Sequence, residues 1–214
     1  NKLPMIYSVK EIYFTMQGEG FHTGKHAVFC RFSGCNLWSG HEKDRANAIC
    51  NFCDTDFVGI DGVNGSKYVS ASALSDKIDK VWNDFDDEKF VVFTGGEPLL
   101  QLNSELIDAL HQKGFKVAIE TNGTLLPPEN IDWICVSPKK GAKFKLKYGN
   151  ELKLVYPQEE FNPDRFKELE FDHFFLQPMD GEDLQKNILQ SVSYCIENPL
   201  WRLSLQTHKI MGID

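Results

Sequence analysis

The sequence predicts an α/β protein built as an open, partial TIM-like barrel of about six parallel strands with few helices. Three observations predict this class. Short apolar segments typical of buried strands alternate with segments that carry apolar residues at helical spacing. The helical segments are too few for a closed barrel with a helix after each strand. Small or polar motifs follow several of the strands, as they do at the ligand-binding edge of a parallel sheet.

The predicted strands are short apolar runs rich in β-branched and aromatic residues. They are AVFCRF (27–32), KFVVF (89–93), KVAIE (116–120), WICV (133–136), ELKLV (151–155), HFFLQ (173–177) and WRLSL (201–205). Because helical segments separate several of these runs, we expect neighbouring strands to be mostly parallel.

Between the strands, apolar stripes at helical spacing lie at 74–82, 106–110 and 188–196. Ser70 or Ser72 is positioned to cap the first helix, since a hydroxyl there accepts a hydrogen bond from a free backbone N–H. Asn103 is positioned to cap the second helix and Gly114 to end it. Pro163 predicts the start of a further short helix.

The bulk properties exclude several classes of protein. With 214 residues the chain is expected to form a single domain, 1–214. A net charge of −8 makes it a poor candidate for binding nucleic acid or an anionic membrane surface. No apolar run is long enough to span a bilayer, and the first residues lack the pattern of an export signal. Six cysteines without such a signal predict a reducing compartment, so we expect a cytoplasmic protein.

One loop holds three cysteines. Cys50 and Cys53 form a C-x2-C pair, and Cys35 lies upstream of it. Three thiolates in one loop are typical of an iron–sulfur cluster or a zinc site, while a C-x2-C pair alone also occurs in thiol oxidoreductases. Zinc would need a fourth ligand, and the candidates His41 and His26 lack the usual spacing. A four-iron cluster on three thiolates would leave one iron open for chemistry; spacing alone leaves these alternatives open.

Polar motifs follow several of the predicted strands. They are TGGEP (94–98), TNG (121–123), SPK (137–139) and QPM (177–179). In parallel α/β folds the carboxyl ends of the strands form the edge where ligands bind. We therefore expect these motifs to line one binding site.

The cysteine loop and TGGEP together resemble the radical S-adenosylmethionine (SAM) superfamily. That superfamily uses a C-x3-C-x2-C trio, and removing 39–49 from this loop gives CNLWCNFC, which fits the trio. Over nearly the whole chain the sequence resembles the 7-carboxy-7-deazaguanine synthase family. The matching motifs are QGEGFHTG, CRFSGCNLW, FCDTDF, TGGEP, ETNGT, SPK, QPM and SLQTHKIMGI. Segment 39–49 is then an insertion in the cluster loop.

The resemblance implies two cofactors. Cys35, Cys50 and Cys53 would hold a [4Fe-4S] cluster whose open iron binds the amino and carboxylate groups of SAM. One electron would then split SAM and yield a 5′-deoxyadenosyl radical. TGGEP would meet the methionyl end, where two glycines allow close approach of the backbone. The residues implied to bind SAM are Thr94, Gly95, Gly96, Glu97, Glu120, Asn122, Ser137, Lys139 and Gln177.

The resemblance also implies a reaction. Family members convert 6-carboxy-5,6,7,8-tetrahydropterin to 7-carboxy-7-deazaguanine, with hydrogen abstraction at C6, ring contraction and loss of ammonia, in 7-deazapurine (queuosine-type) biosynthesis. A Mg²⁺ ion would be held by Thr55, since Mg²⁺ takes oxygen ligands. The residues implied to bind the substrate are Gln17, Glu19, Arg31, His208 and the terminal Asp214, although Asp214 departs from the proline expected at that end.

Physical chemistry supports several of these assignments. Gln17 and Glu19 are spaced i, i+2, so in an extended chain they point to one side, and an amide with a carboxylate suits the hydrogen-bonding edge of a pterin. Arg31 is a natural bidentate partner for the substrate carboxylate. An arginine in an apolar strand is also costly to bury unpaired. Cys30, on the opposite face of that strand, is expected in the core.

The resemblance further implies a homodimer and a reductant of flavodoxin type or another kind. Two alternatives remain at this stage. One is a glycyl-radical-enzyme activase of the same superfamily, in which QGEG (17–20) and QTHK (206–209) would have no role. The other is a zinc-stabilised, non-catalytic binding module, in which the cysteines are purely structural.

Overall fold

The computed structural model of the chain describes residues 5–213. Within these residues the backbone forms one sheet of nine strands flanked by helices. The strands are β1 (Tyr7–Met16), β2 (His26–Phe32), β3 (Ser66–Tyr68), β4 (Phe90–Gly95), β5 (Lys116–Thr121), β6 (Trp133–Val136), β7 (Tyr148–Tyr156), β8 (Glu170–Pro178) and β9 (Trp201–Leu203). The helices are α1 (Ala71–Trp82), α2 (Ser104–His111), α3 (Leu184–Glu197) and α4 (Thr207–Met211), with 3-10 turns at Glu42–Asn47, Pro98–Leu100 and Pro163–Phe166.

The sheet has the strand order β3-β1-β2-β4-β5-β6-β7-β8-β9. In the part of the sheet that runs β2-β4-β5-β6-β7-β8-β9, each strand is parallel to its neighbour. By contrast, β1 is antiparallel to both β2 and β3. Among the described residues, β3 and β9 end this order and do not pair with each other, so the barrel is open. The predicted open, partial barrel is confirmed, and every predicted strand belongs to its parallel part.

The predicted helices form where the apolar stripes lie. Of the two candidate serines, Ser70 caps α1, and its hydroxyl accepts a first-turn backbone N–H at 3.1 Å. Asn103 caps α2 in the same way at 3.0 Å. Gly114 follows α2 with a φ of +82°, a left-handed conformation that suits glycine and ends the helical path. The short helix predicted at Pro163 is a 3-10 turn.

Successive residues of β4 point to opposite sides of the sheet. Val91 and Phe93 pack against α1 and α2 in the largest core cluster. Phe90 and Val92 belong to a smaller cluster on the other side. Cys30 is fully buried in the largest cluster, which confirms its predicted place in the core.

β1 and β3 are absent from the predicted strands. β1 carries Lys10 and Glu11 in succession, and its pairing with β2 is irregular between Val9 and Glu11. Lys10 is nevertheless buried, because its ammonium pairs with Asp56 at 2.8 Å and Asp61 at 2.7 Å. β1 could not be predicted because its adjacent charges have partners that are remote in sequence, so nearby residues do not indicate a strand. β3 has only three residues, which is too short a run to be recognised as a strand.

The helices of the described part are short. α3, with 14 residues, is the longest among residues 5–213. A membrane-spanning helix needs about 20 apolar residues. Accordingly, no helix within residues 5–213 has the length and apolar character to cross a bilayer.

Candidate active site

A cavity of about 710 Å³ opens where the carboxyl ends of the parallel strands meet the cysteine loop and the C-terminal segment. Its volume lies in the range of small-molecule sites. The predicted site residues that line it are Gln17, Glu19, Arg31, Cys50, Cys53, Thr55, Thr94, Gly95, Gly96, Glu120, Asn122, Ser137, Lys139, Gln177 and His208. The structure therefore brings most of the predicted site together.

Some predicted residues stand apart from this cavity. Cys35 does not line it directly. Glu97 is fully buried, and its carboxylate accepts hydrogen bonds from Asn122 N at 2.8 Å and the Thr121 hydroxyl at 2.7 Å. It fastens the end of β4 to the end of β5, which corrects the expectation that Glu97 faces SAM. Asp214 lies outside the described residues.

The cysteine loop forms one wall of the cavity. A hydrogen bond from the Cys50 thiol lowers the pKa of Cys53 to about 6, so Cys53 readily becomes a thiolate. Burial raises the pKa of Cys35, whose sulfur accepts a hydrogen bond from Leu37 N at 3.4 Å and also interacts electrostatically with Cys53. The three thiols are thus neighbours.

Two glycines let the end of β4 pack directly on this loop. A Cβ on Gly96 would lie 2.0 Å from the carbonyl oxygen of Gly34 and 2.9 Å from the Cβ of Cys35. A Cβ on Gly95 would lie 2.2 Å from the carbonyl oxygen of Phe32. Side chains at 95 and 96 are therefore excluded, and the bare backbone borders the cavity.

The donor set fits an iron–sulfur cluster. Three neighbouring thiols and an N–H···S bond are features of cluster ligation. Between residues 5 and 213, no three His, Cys, Asp or Glu side chains are arranged to hold a single metal ion. Of the zinc candidates, His26 pairs with Asp87 at 3.0 Å.

The 39–49 insertion supports the cysteine loop. Its 3-10 turn, Glu42–Asn47, contains Arg45, which donates hydrogen bonds to the carbonyl oxygens of Asn51 and Cys53, each at 3.0 Å. The Arg45 guanidinium also lies 4.0 Å from the centre of the Trp38 ring. The insertion thus braces the backbone on either side of Cys53.

The same cavity is lined by a group of charged and amide side chains that we call the carboxylate floor: Gln17, Glu19, Glu120 and Lys153. The Lys153 ammonium forms a short ion pair with Glu19 and lies 3.4 Å from Glu120. The Gln17 amide donates to Glu120 at 3.0 Å. Glu120, predicted to contact SAM, is therefore grouped with the predicted substrate residues, because its side chain on β5 points into the barrel.

Opposing effects set the ionisation of this floor. Burial disfavours the charged form of Glu19, but the charge and hydrogen bonds of Lys153 outweigh it and lower the pKa of Glu19. Burial likewise opposes the charge of Lys153, yet Glu120 and Glu19 raise its pKa well above the usual value. Both groups are ionised at neutral pH.

Lys153 is a site residue that the sequence analysis missed. ELKLV was identified as a buried strand, yet it carries Glu151 and Lys153 two residues apart. Residues at i and i+2 of a strand share a face, so two charges there signal a polar site inside the barrel.

Arg31 lies on the cavity wall with its own carboxylate partner. Its Nε donates to Glu11 at 2.7 Å, and a terminal nitrogen donates to the Tyr13 hydroxyl at 3.2 Å. A guanidinium has five N–H groups, so these contacts orient Arg31 and leave donors for a substrate anion. Glu11 was missed by the sequence analysis because β1 itself was.

The predicted SAM residues at the strand ends are joined to the rest of the site. Lys139 donates to the Ser137 hydroxyl at 2.5 Å and lies 5.9 Å from the centre of the Phe52 ring in the cysteine loop. Gln177 accepts a hydrogen bond from the Ser204 hydroxyl at 3.2 Å. These polar atoms are held in place before any ligand binds.

The C-terminal segment closes the remaining side. The Gln206 amide donates to Glu19 at 2.9 Å, and Lys209 pairs with Asp54 next to the cysteine pair. His208 packs on the QGEG loop, since a Cβ on Gly18 would lie 2.2 Å from its Nδ1. The QTHK motif thereby reaches both walls of the cavity.

Comparison with known proteins agrees with this geometry. The family model of the radical SAM superfamily matches residues 44–198. The chain is 58% identical over 209 residues to 7-carboxy-7-deazaguanine synthase of Bordetella pertussis (strain Tohama I), covering 98% of this chain and 100% of that protein. It is 56% identical over 209 residues, with the same coverage, to the protein of that name from Bradyrhizobium diazoefficiens. QueE from Escherichia coli shares the fold, with a TM-score of 0.67 at 24% identity over 94% of this chain and 93% of that one.

These matches and the open parallel barrel establish a radical SAM enzyme, a class that works with a [4Fe-4S] cluster and SAM. Within the class, the chain belongs to the 7-carboxy-7-deazaguanine synthase family. This membership decides against both a glycyl-radical-enzyme activase and a non-catalytic zinc module.

Proposed function

We propose that the chain converts 6-carboxy-5,6,7,8-tetrahydropterin into 7-carboxy-7-deazaguanine and ammonia, in 7-deazapurine biosynthesis of the queuosine type. The atoms of the pterin equal those of the two products, so the net reaction needs no oxidant. The observation that carries the proposal is that one cavity is lined both by the thiols of Cys50 and Cys53 and by the carboxylate floor. A radical source and a heterocycle could meet there.

Cys35, Cys50 and Cys53 would hold the cluster, and Thr94, Gly95, Gly96, Asn122, Ser137, Lys139 and Gln177 would surround SAM. When bound, these cofactors supply the one-electron chemistry that removes a hydrogen atom from the substrate. The protein's own contribution is orientation and exclusion of water. The backbone at Gly95 and Gly96 allows close approach, and the lysine–serine contact between Lys139 and Ser137 presents a fixed polar group.

The carboxylate floor would bind the pterin. Glu19 and Glu120 can accept hydrogen bonds from the amino and ring N–H groups, while Gln17 offers an amide. Arg31 would bind the substrate carboxylate through the N–H groups that Glu11 leaves available. His208 would contact the substrate from the C-terminal side, and the Asp214 carboxylate is a further candidate.

Magnesium belongs to this proposal. Thr55 borders the cavity, and its backbone N–H donates to Cys53, which supports its hydroxyl as an oxygen ligand close to the thiols. Mg²⁺ keeps several waters and needs few protein ligands. A substrate carboxylate and Thr55 would satisfy those requirements.

We also propose that the protein is a homodimer and that an external reductant, of flavodoxin type or another kind, supplies the electron. We expect it to work in the reducing cytoplasm, to form one domain that spans the chain, and not to bind nucleic acid. The dimer is supported by α3, whose buried residues include Asn187 and Ser191 while Leu189 and Ile196 are 63% and 76% exposed. Such an exposed apolar face is typical of an interface.

The experiment is an anaerobic turnover assay. The protein would be reconstituted with iron and sulfide, reduced with dithionite, and given SAM, Mg²⁺ and the tetrahydropterin. We expect 7-carboxy-7-deazaguanine from the wild type and none from Cys50→Ala, measured by mass spectrometry. Cleavage of SAM with the pterin unchanged would keep the enzyme class and overturn the substrate.

A further inference from the structure

Lys153 lines the cavity and lies among acidic side chains. It is 4% exposed, and its ammonium contacts a carboxylate oxygen of Glu19 and, at 3.4 Å, one of Glu120. Glu151 precedes it on the same face of β7 and is 3% exposed. Within residues 5–213, Lys153 is the cation that forms ion pairs with Glu19 and Glu120, and the structure records no other.

The two carboxylates are held in the same way. Glu19 has one oxygen on Lys153 and the other on the Gln206 amide at 2.9 Å. Glu120 has one oxygen on Lys153 and the other on the Gln17 amide at 3.0 Å. Each oxygen retains a lone pair, because a carboxylate offers about four acceptor sites. The arrangement fixes two neighbouring acceptors at the cavity floor.

Every element packed around Lys153 contributes to its electrostatics. Glu120 comes from β5, Cys135 from β6, Glu151 from β7 and Glu19 from the QGEG loop. His208, from α4, acts on Glu19. Burial raises the pKa of both Cys135 and Glu151, which favours their neutral forms. Lys153 therefore balances Glu19 and Glu120, and without it these carboxylates would repel each other.

We propose that Lys153 is a positioning residue that holds the carboxylates of Glu19 and Glu120 side by side, as neighbouring acceptors for the N–H edge of the heterocyclic substrate. This inference rests on the proposed function. Lys153 acts through the carboxylates and not on the reacting carbon. A protonated Glu19 would present an O–H donor to an N–H donor of the substrate, so binding requires the Glu19 carboxylate to be ionised.

The proposal predicts a change in the pH dependence of binding. Removing the cation raises the pKa of Glu19, since desolvation remains while the charge and hydrogen bond of Lys153 are lost. Below the raised pKa the site carries a proton that the ligand must displace, so affinity rises with pH by up to about tenfold per unit. The wild type lacks this dependence, because Lys153 keeps Glu19 ionised.

The experiment measures the Kd of 6-carboxy-5,6,7,8-tetrahydropterin by anaerobic calorimetry between about pH 6 and about pH 8, a range into which burial can move the titration of a carboxyl group that has lost its cation. The proteins are the reconstituted wild type, Lys153→Met and Lys153→Arg. Lys89→Met is the matched control. Like Lys153→Met it removes an ion pair between a lysine and a carboxylate, here Asp79 at 2.7 Å, but Lys89 does not line the cavity.

We expect Lys153→Met to bind about 10- to 100-fold more weakly near pH 6 and to recover as pH rises, whereas Lys153→Arg stays close to the flat wild-type profile. Weakening by one constant factor at every pH, or unchanged binding, would overturn the proposal. If Lys153→Met does not fold, Lys153→Arg alone tests the proposal. In that case, a Kd for Lys153→Arg that falls with rising pH, as expected for Lys153→Met, would overturn the proposal as well. A wild type that binds no pterin would instead defeat the proposed function.

Discussion

Arg31 illustrates how one side chain can serve both the fold and the site. Its guanidinium is largely buried, with 17% of the side chain exposed, and such a charge is costly unless it is paired. Glu11 on the neighbouring strand provides the pair at 2.7 Å. The partner neutralises the charge and fixes the plane of the guanidinium, so the remaining N–H groups face the cavity in one orientation.

We expect Arg31→Lys to raise the KM for the pterin by about 10- to 100-fold, because hydrogen bonds to charged groups contribute about 1.5–3 kcal/mol and an ammonium lacks the planar fork. Steady-state kinetics would measure the change. Arg165→Lys is the matched control: Arg165 lies 5.4 Å from the centre of the Phe161 ring, away from the cavity. An unchanged KM in Arg31→Lys would contradict the proposed role of this residue.

At the scale of single residues, the sequence predicted which residues belong to the site better than it predicted where their side chains point. The spacing and resemblance indicated Arg31, Gln17 and Glu19, and all line the cavity. Glu97 was assigned to SAM, although its carboxylate points into the protein and bonds to β5. Lys153 escaped because the direction of a buried charge depends on partners from remote segments, which one sequence does not reveal.

The cysteine loop and the end of β4 act as one element. Gly96 N–H and Glu97 N–H donate to the carbonyl oxygens of Phe32 and Gly34, at 3.3 and 3.0 Å, so the loop is fastened to the strand end by backbone hydrogen bonds. Arg45 of the insertion supports its other end. The loop is therefore rigid before any cluster binds.

We expect Gly96→Ala to lower iron uptake and the free energy of unfolding, the latter by about 1–3 kcal/mol, because the new Cβ overlaps the backbone of Gly34. Iron content after reconstitution and the melting temperature would report the two effects. Gly114→Ala is the control, since no atom lies within 4 Å of its Cβ and only its φ of +82° is strained. Full iron uptake by Gly96→Ala would contradict this account.

Elements with a local signal could be predicted, and those held by remote charges could not. The apolar parallel strands and the caps at Ser70 and Asn103 follow from nearby residues. β1 does not, because Lys10 fits into a strand only through Asp56 and Asp61. The register of β1 against β2 is equally a product of tertiary pairing.

At the scale of the whole molecule, the open barrel explains how the site is assembled. Parallel strands bring their carboxyl ends to one edge, and the open side admits the QGEG loop and the C-terminal segment. Thr207 N donates to the Gly18 carbonyl oxygen at 2.9 Å, which joins those two segments. The rim was predictable from the strand-end motifs. The closing contacts were not, because they join residues 155 to 189 positions apart.

The central claim is that one cavity brings the radical source and the heterocycle together. Determining a crystal structure of the reconstituted protein with SAM and the tetrahydropterin would test this claim most directly. We predict the cluster on Cys35, Cys50 and Cys53, and the amino edge of the pterin within hydrogen-bond distance of Glu19 and Glu120. SAM should lie between them. A pterin bound elsewhere, or turned so that its carboxylate faces Glu19, would contradict the account.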